Sequence, residues 1–306
     1  MRSSSIERLL ALRSFPGLRD VAAASIAPMA RYTVDRDFVS GEMILEEGSP
    51  VTTMHFVLDG QVEISRSGLP FRRIEPGQSF GSLAALAGVQ EGVTAQTTKK
   101  TRTLELSVEN LELVMLEHFD LLTAALTALG AATIHERMKL DGAGYSTDIE
   151  EGTCPARDMS LIEKTVSLKD ALFISRHRVD ALIDLARSSQ ELRYKAGDVM
   201  WNWGDREKTV AHVVCGVISC VTKDDMHFRF GAGAFLGAMD AMTDEGRWFR
   251  ATAQSDVVVL RFDIDDFIDI IEDHSYMAME LLRGISDDLF TVLGTRRRYA
   301  SDDSPL

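Results

Sequence analysis

Glycine recurs in this chain at one fixed interval. Gly41 and Gly197 lie 156 residues apart, and the same interval separates Gly48 from Gly204, Gly60 from Gly216, Gly77 from Gly233 and Gly81 from Gly237. A glycine repeating at a constant offset marks a backbone demand that repeats, because only glycine turns freely into the left-handed region. Apolar positions obey the same interval: Val62 with Ile218, Ile74 with Phe230, Ala95 with Ala251, Leu104 with Leu260 and Leu111 with Phe267. The chain is a duplicated domain, and what one copy folds into the other must fold into as well.

Within each copy the periodicity changes twice. "TMHFVLDGQVEISRSGLPFRRIEPG" alternates apolar and polar side chains around Gly60 and Gly68, and "AHVVCGVISCVTKDDMHFRFGAG" does so around Gly216 and the turn Lys223–Asp225. Strands this short, punctuated this evenly by turns, predict a small antiparallel roll or barrel. The flanks repeat at helical spacing instead: Leu111, Met115, Leu122, Leu126 and Leu129 in the first copy, and "DIDDFIDIIEDHSYMAMELLRGISDDLFTVLG" in the second. The expected fold class is therefore α+β, two tandem small antiparallel β-rolls of jelly-roll type, each flanked by helices. The expected domains are residues 1–140 and 159–294, joined by a linker at 141–158, "DGAGYSTDIEEGTCPARD", and followed by a polar tail at 295–306.

Composition narrows the partners. A length of 306 residues suits two domains with cores of their own, and 45% hydrophobic with 26% charged residues is ordinary for a globular chain. The net charge of -14, with a pI near 5.0, disfavours a nucleic-acid partner, since phosphate attraction needs a basic face. A helix-turn-helix is not expected in the few residues after Gly294 either. No apolar run approaches the ~18 residues that span a bilayer, and charge interrupts the N-terminal run too early for a signal peptide, so neither a membrane nor export is expected and the predicted location is cytoplasmic. Cys154, Cys215 and Cys220 form an odd set without CxxC spacing, which predicts reduced thiols rather than a disulfide or a zinc site.

The ordered glycine turns carry a resemblance. "GEMILEEGS", "FVLDGQVEI" and "IEPGQSFGSLAAL", echoed by "AGDVMWNWGD", "VVCGVISCV" and "FGAGAFLGAMDAM", are similar to the cyclic-nucleotide-binding domain family, the sensory module of the catabolite activator protein and of kinase regulatory subunits. The likeness covers roughly residues 12–135 and 170–290. In that family the segment after the fourth glycine turn is a phosphate-binding cassette, read as phenylalanine-glycine-glutamate, a short helix, then arginine. The chemistry asks for backbone N–H groups for the anion, a carboxylate for the ribose hydroxyl and a buried arginine for the cyclic phosphate.

On that resemblance the first cassette comprises Phe80, Gly81, Ser82, Leu83, Val89 and Gln90, and the second Leu236, Gly237, Ala238, Met239, Glu245, Arg247 and Arg250. Ser82 and Ala238 stand where the glutamate would be. Counting back from the following strands puts Val89 and Glu245 at the arginine position. A phosphate without its cation loses a charge-assisted hydrogen bond of about 1.5–3 kcal/mol, and Glu245 would repel it. Arg247 or Arg250 could restore the charge from a shifted register, although strand alternation turns one of them outward as a plain surface arginine.

Other chemistries lack their residues. His55, His118, His135, His177, His212, His227 and His274 are scattered and unpaired by the offset, so a metal-binding roll is not expected. "RFDIDDFIDIIEDHS" has no glycine at a calcium-loop turn and carries Phe267, Ile268, Ile270 and Ile271 as an apolar stripe; it predicts an amphipathic helix capped by Asp263. Trp201 and Trp203 fall two apart, as on one strand face, where core packing competes with a partner hot spot. No nucleophile elbow, P-loop or dinucleotide fingerprint occurs, so no enzyme is expected.

These readings converge on a non-catalytic regulatory or adaptor protein with lost or altered nucleotide binding and no cofactor, acting on a protein partner, for which a basic surface would suit the acidic body. The alternative is a genuine cyclic AMP or cyclic GMP sensor that uses Arg247 or Arg250. In the family the helix after each roll is often an oligomer interface; the run Leu111–Leu129 is apolar enough to pair two copies in a homodimer or to pack on its own roll.

Overall fold

The computed structural model describes residues 3–66, 68–88, 93–146, 148–169, 179–243 and 246–302. Its contacts divide the chain into two compact units, Met1–Ala128 with Leu282–Phe290, and Leu129–Leu281 with Thr291–Leu306.

The first unit starts with α1 (Ser5–Arg13), opened by a capping box: Ser4 accepts from the Glu7 N–H while the Glu7 carboxylate accepts from the Ser4 N–H. Then come α2 (Ala23–Tyr32), β1 (Val34–Phe38), β2 (Met43–Leu45), β3 (Thr53–Asp59), β4 (Val62–Arg66), β5 (Leu69–Ile74), β6 (Ser79–Phe80), the short α3 (Ser82–Leu86), β7 (Thr94–Thr97), β8 (Thr101–Ser107), α4 (Val108–Glu117) and α5 (Phe119–Arg137), whose second half belongs to the other unit. The strands form two four-stranded antiparallel sheets, ordered β1-β8-β3-β6 and β2-β7-β4-β5. Alternation explains the filling: Val62 and Ile64 of β4 face Ile74 and Ala95 in one apolar cluster that also takes Phe80, Ala84 and Phe290.

The second unit continues with α6 (Leu161–Lys169), α7 (Val179–Ser188), β9 (Gln190–Tyr194), β10 (Val199–Trp201), β11 (Thr209–Cys215), β12 (Ile218–Thr222), β13 (His227–Phe230), β14 (Phe235–Leu236), α8 (Ala238–Ala241), β15 (Phe249–Ala253), β16 (Val257–Asp263), α9 (Ile264–Asp273) and α10 (Ser275–Asp302), whose stretch Leu282–Phe290 belongs to the first unit. Its sheets are β9-β16-β11-β14 and β10-β15-β12-β13. Shifting β1–β4, β6, β8 and α4 by 156 residues lands on β9–β12, β14, β16 and α9 residue for residue. The α+β expectation of two antiparallel rolls flanked by helices is therefore met.

All ten glycines of the repeat have φ between +74° and +95°. At Gly60 and Gly216 the need is also spatial, because a Cβ would run into the backbone of Lys100 and Thr101 in one unit and of Asp256 and Val257 in the other. Asp263 caps α9 by accepting from the Asp265 N–H, and Ile264, Phe267 and Ile271 are its buried stripe.

Four sequence expectations need correcting. The long helical run is broken at His118, which has φ -132° and ψ 85°, into α4 and α5. The last helix runs on through Asp302, into the segment expected as a polar tail. Trp203 is not on the strand of Trp201: β10 ends at Trp201, and Trp203 lies in the turn beyond, its indole N–H donating to the Val221 carbonyl at 2.6 Å. Cys154 and Cys215 are not free thiols but a disulfide with Cα atoms 5.1 Å apart; only Cys220 is free. Spacing of 61 residues hid the pair, which the fold makes by bringing the segment before α6 back to the end of β11. Among the described residues, no single helix is long and apolar enough to cross a membrane.

Candidate functional site

Each roll presents the same local device: a two-residue strand, a glycine at positive φ, and one short turn of helix. In the first unit Phe80 ends β6, Gly81 turns at φ 93°, and α3 follows with Ser82 as its first residue. Gly81 has no room for a Cβ because the Thr53 carbonyl abuts it. Phe80 is buried and stacks on His55 with ring centroids 5.0 Å apart. His55 is held between the hydroxyls of Thr53 and Thr103, at 3.1 and 3.2 Å, and burial lowers its pKa to about 4, so the ring is neutral. Leu83 packs on the core. Ser82, a hydroxyl and not a carboxylate, is the first residue of α3, and Val89 and Gln90 lie outside the described residues.

The second cassette has the same frame and different chemistry. Leu236 is buried at the end of β14, Gly237 turns at φ 80°, and Ala238 opens α8. Met239 lies against Gly130 of α5. Arg247 then returns its guanidinium to the glycine: Nη1 donates to the Gly237 carbonyl at 3.0 Å, and Nη2 donates to the Thr209 carbonyl at 2.5 Å and hydroxyl at 3.0 Å. The same Nη1 sits 3.3 Å from Oδ1 of Asp240, with side chains 2% and 3% exposed. The plane lies over the Trp201 ring, 4.4 Å from its centroid, a cation–π contact strengthened by desolvation. Burial pushes the Asp240 carboxyl above the ordinary carboxylate value, with facing Arg247 pulling the other way.

The buried cation of this turn faces a buried carboxylate of the same unit. The guanidinium fork that could clasp a phosphate is already bonded to two backbone carbonyls, a hydroxyl and a carboxylate. A cleft of about 340 Å³ opens between the loop Asp205–Lys208 and α8, with Asp240 and Arg247 in its wall.

Arg247, expected as an offset candidate or an outward surface residue, is thus buried at Gly237. Arg250 is the one that alternation turns outward: on β15 it is half-buried opposite Val221, while Phe249, Ala251 and Ala253 face the core. Glu245, expected at the arginine position, lies outside the described residues. Sequence reasoning missed Asp240 altogether. The signal was available, since the repeat sets Asp240 against Ala84, an acid in the middle of an otherwise apolar four-residue helix. The same interval sets Arg247 against Glu91, which lies outside the described residues. Among the described residues no cluster of metal-ligating side chains occurs.

The family model of the cyclic nucleotide-binding domain matches residues 35–118 and 191–274, more than half of the chain and again 156 residues apart. Among curated relatives, a putative potassium channel protein of Rhodopseudomonas palustris is 32% identical over 94 residues, which is 30% of this chain and 23% of that protein. A potassium channel of Oryza sativa subsp. japonica is 29% identical over 104 residues, 32% of this chain and 12% of the channel. The likeness thus spans less than a quarter of either relative. Solved structures include the regulatory domain of Toxoplasma gondii PKA with cAMP, at 13% identity, TM-score 0.34 and 97% coverage of both chains. The regulatory subunit of a cAMP-independent protein kinase A from Trypanosoma brucei matches at 15% identity and TM-score 0.35, covering 90% of this chain and 91% of that one.

Proposed function

The chain belongs to the cyclic nucleotide-binding domain family, in two tandem copies, and from that premise we propose that it is a non-catalytic regulatory protein whose cassettes hold no cyclic nucleotide and whose output is contact with a protein partner. The observation that carries this reading is the Arg247–Asp240 pair. A cyclic phosphate entering the second cassette would have to displace Asp240, strand a buried carboxylate and break the bonds to Gly237 and Thr209. Leaving a buried charge unpaired costs more than the new contact returns. Ser82 and Ala238 offer no carboxylate to a ribose hydroxyl in either cassette.

With both cassettes silent, what remains is surface. A net charge of -14 favours a partner with a basic face through long-range attraction. A second copy of the chain, joined through the apolar helices that follow each roll, is part of the same reading, and light scattering returning a monomer mass would remove that part. The reading keeps the protein in the cytoplasm.

One specific observation favours a second reading, a true sensor: Arg247 is already buried beside Gly237. A ligand strong enough to expel Asp240 would find its cation in place. Calorimetric titration of the full chain with cyclic AMP and cyclic GMP separates the two. Absence of heat at millimolar ligand supports the silent cassette, whereas micromolar binding abolished by Arg247→Ala supports the sensor.

A further inference from the structure

The second unit holds another feature, on a different part of its roll. After α5 the chain lies along the roll as a strap. Arg137 donates to the Ala143 carbonyl at 2.7 Å and stacks over Tyr145, 3.9 Å from the ring centroid. Tyr145 in turn stacks on Phe228 and meets Phe230 edge-on, at 5.1 and 4.7 Å. That end is anchored by aromatic burial. The other end is anchored differently. The Glu150 carbonyl accepts from the Ala232 N–H at 2.7 Å and the Glu151 carbonyl from the Gly216 N–H at 2.6 Å. Gly231 has no room for a Cβ against Glu150, and a Cβ on Gly152 would touch Ala232 at 3.0 Å. Then comes the disulfide from Cys154 to Cys215.

The two sulfurs are unequal. Cys154 is exposed, whereas Cys215 is fully buried on β11. An attacking thiolate therefore reaches Cys154 alone. Cys220, the free thiol, is buried, and desolvation holds its pKa well above the ordinary thiol value, which removes it as an internal nucleophile.

We propose that Cys154 is a thiol–disulfide exchange site for a dithiol reductant, and that its bond to Cys215 latches the C-terminal half of the strap onto the second roll. The thiolate of the dithiol attacks Sγ of Cys154, a mixed disulfide forms, and the Cys154–Cys215 bond breaks with its electron pair leaving on Sγ of Cys215, which takes up a proton. The second thiol of the dithiol, deprotonated, then attacks its own sulfur in the mixed disulfide and expels the Cys154 thiolate. Two electrons pass to the protein and the dithiol leaves as its cyclic disulfide. With the latch open, residues 150–154 keep the two backbone bonds of Glu150 and Glu151, between Tyr145 on one side and, on the other, the Pro155 carbonyl that accepts from Arg193 at 2.7 Å. Ile149 and Glu151 form one wall of a cleft of about 330 Å³ that Val217, Arg229, Gln254 and Ser255 complete, so release takes that wall away. A disulfide that opens and closes is the kind a reducing compartment sustains.

The test combines peptide mass spectrometry after native alkylation with hydrogen exchange on the full chain, before and after dithiothreitol. Oxidised protein should yield a linked Cys154–Cys215 peptide, and reductant should make Cys154 alkylable in the native state. Exchange at the Gly216 and Ala232 amides should then rise about tenfold or more while the amides of β13 hold. Cys154→Ser should match the reduced protein in either buffer. A Cys154 that stays alkylable after equilibration with an oxidised dithiol overturns the proposal, as does unchanged exchange at Gly216 and Ala232 on reduction.

Discussion

Arg247 and Asp240 face each other across 3.3 Å at the start of α8, with almost no solvent on either side chain. Around the pair, the same guanidinium donates to the Gly237 carbonyl and to the Thr209 carbonyl and hydroxyl, while its Nε and Oδ2 of Asp240 are buried with no hydrogen-bond partner among the described residues.

Their coupling is measurable in a double-mutant cycle. Arg247→Met should cost about 3 kcal/mol by stranding a buried carboxylate. Asp240→Leu should also destabilise, and the double variant should fall short of the sum by at least about 1 kcal/mol. Urea unfolding gives the three values; strict additivity would mean the two groups do not act on each other.

Acid should weaken the fold through two buried imidazoles. His55 and His212 both have pKa values lowered to about 4, chiefly by desolvation. Below pH 6.5 the unfolded chain binds a proton at each ring that the folded chain refuses, so stability falls as pH drops from 6.5 to about 4. The slope is about 1.4 kcal/mol per pH unit for each ring. His212, whose Nε2 lies 2.9 Å from the Ser167 hydroxyl, should lose its share in His212→Gln. A slope unchanged by that substitution would place the titration elsewhere.

Two glycines with nearly the same φ should respond unequally to alanine. Gly77 has φ 84° and open space where a Cβ would go, whereas Gly60 has φ 91° and the Thr101 backbone in the way. Gly77→Ala should cost about 1 kcal/mol from backbone conformation alone, and Gly60→Ala at least about 2 kcal/mol more. Thermal unfolding of the two variants settles the order, and equal losses would remove the steric part of the explanation.

The disulfide closes a loop of 61 residues in sequence separation, so Cys154→Ser should cost about 2–4 kcal/mol in oxidising buffer. In dithiothreitol the variant and the parent should coincide. A difference that persists under reductant would assign the loss to packing at Cys154 instead of the bond.

What the sequence disclosed depended on how local each demand was. The glycines at Gly60 and Gly216 announce themselves because no other residue meets a positive φ and a backbone contact together, and the fixed interval then carries the whole roll. Asp263 as a helix cap was equally legible, being settled within two residues. Cys154 and Cys215 were not, because their meeting depends on where the strap runs in space. Arg247 was legible as one of two cassette candidates, because strand alternation implies that one of Arg247 and Arg250 turns outward without saying which. Asp240 was overlooked because an acid in a short helix looks like solvent-facing charge until burial is known.

The most direct measurement is the ¹⁵N-edited NMR spectrum of the Arg247 guanidinium, assigned with Arg247→Lys, in the full chain. Slowly exchanging Nη–H signals that do not move in millimolar cyclic AMP or cyclic GMP are expected of a fork bound to Asp240, Gly237 and Thr209. Signals that shift with saturable nucleotide dependence contradict an internally closed cassette and make the second roll a sensor.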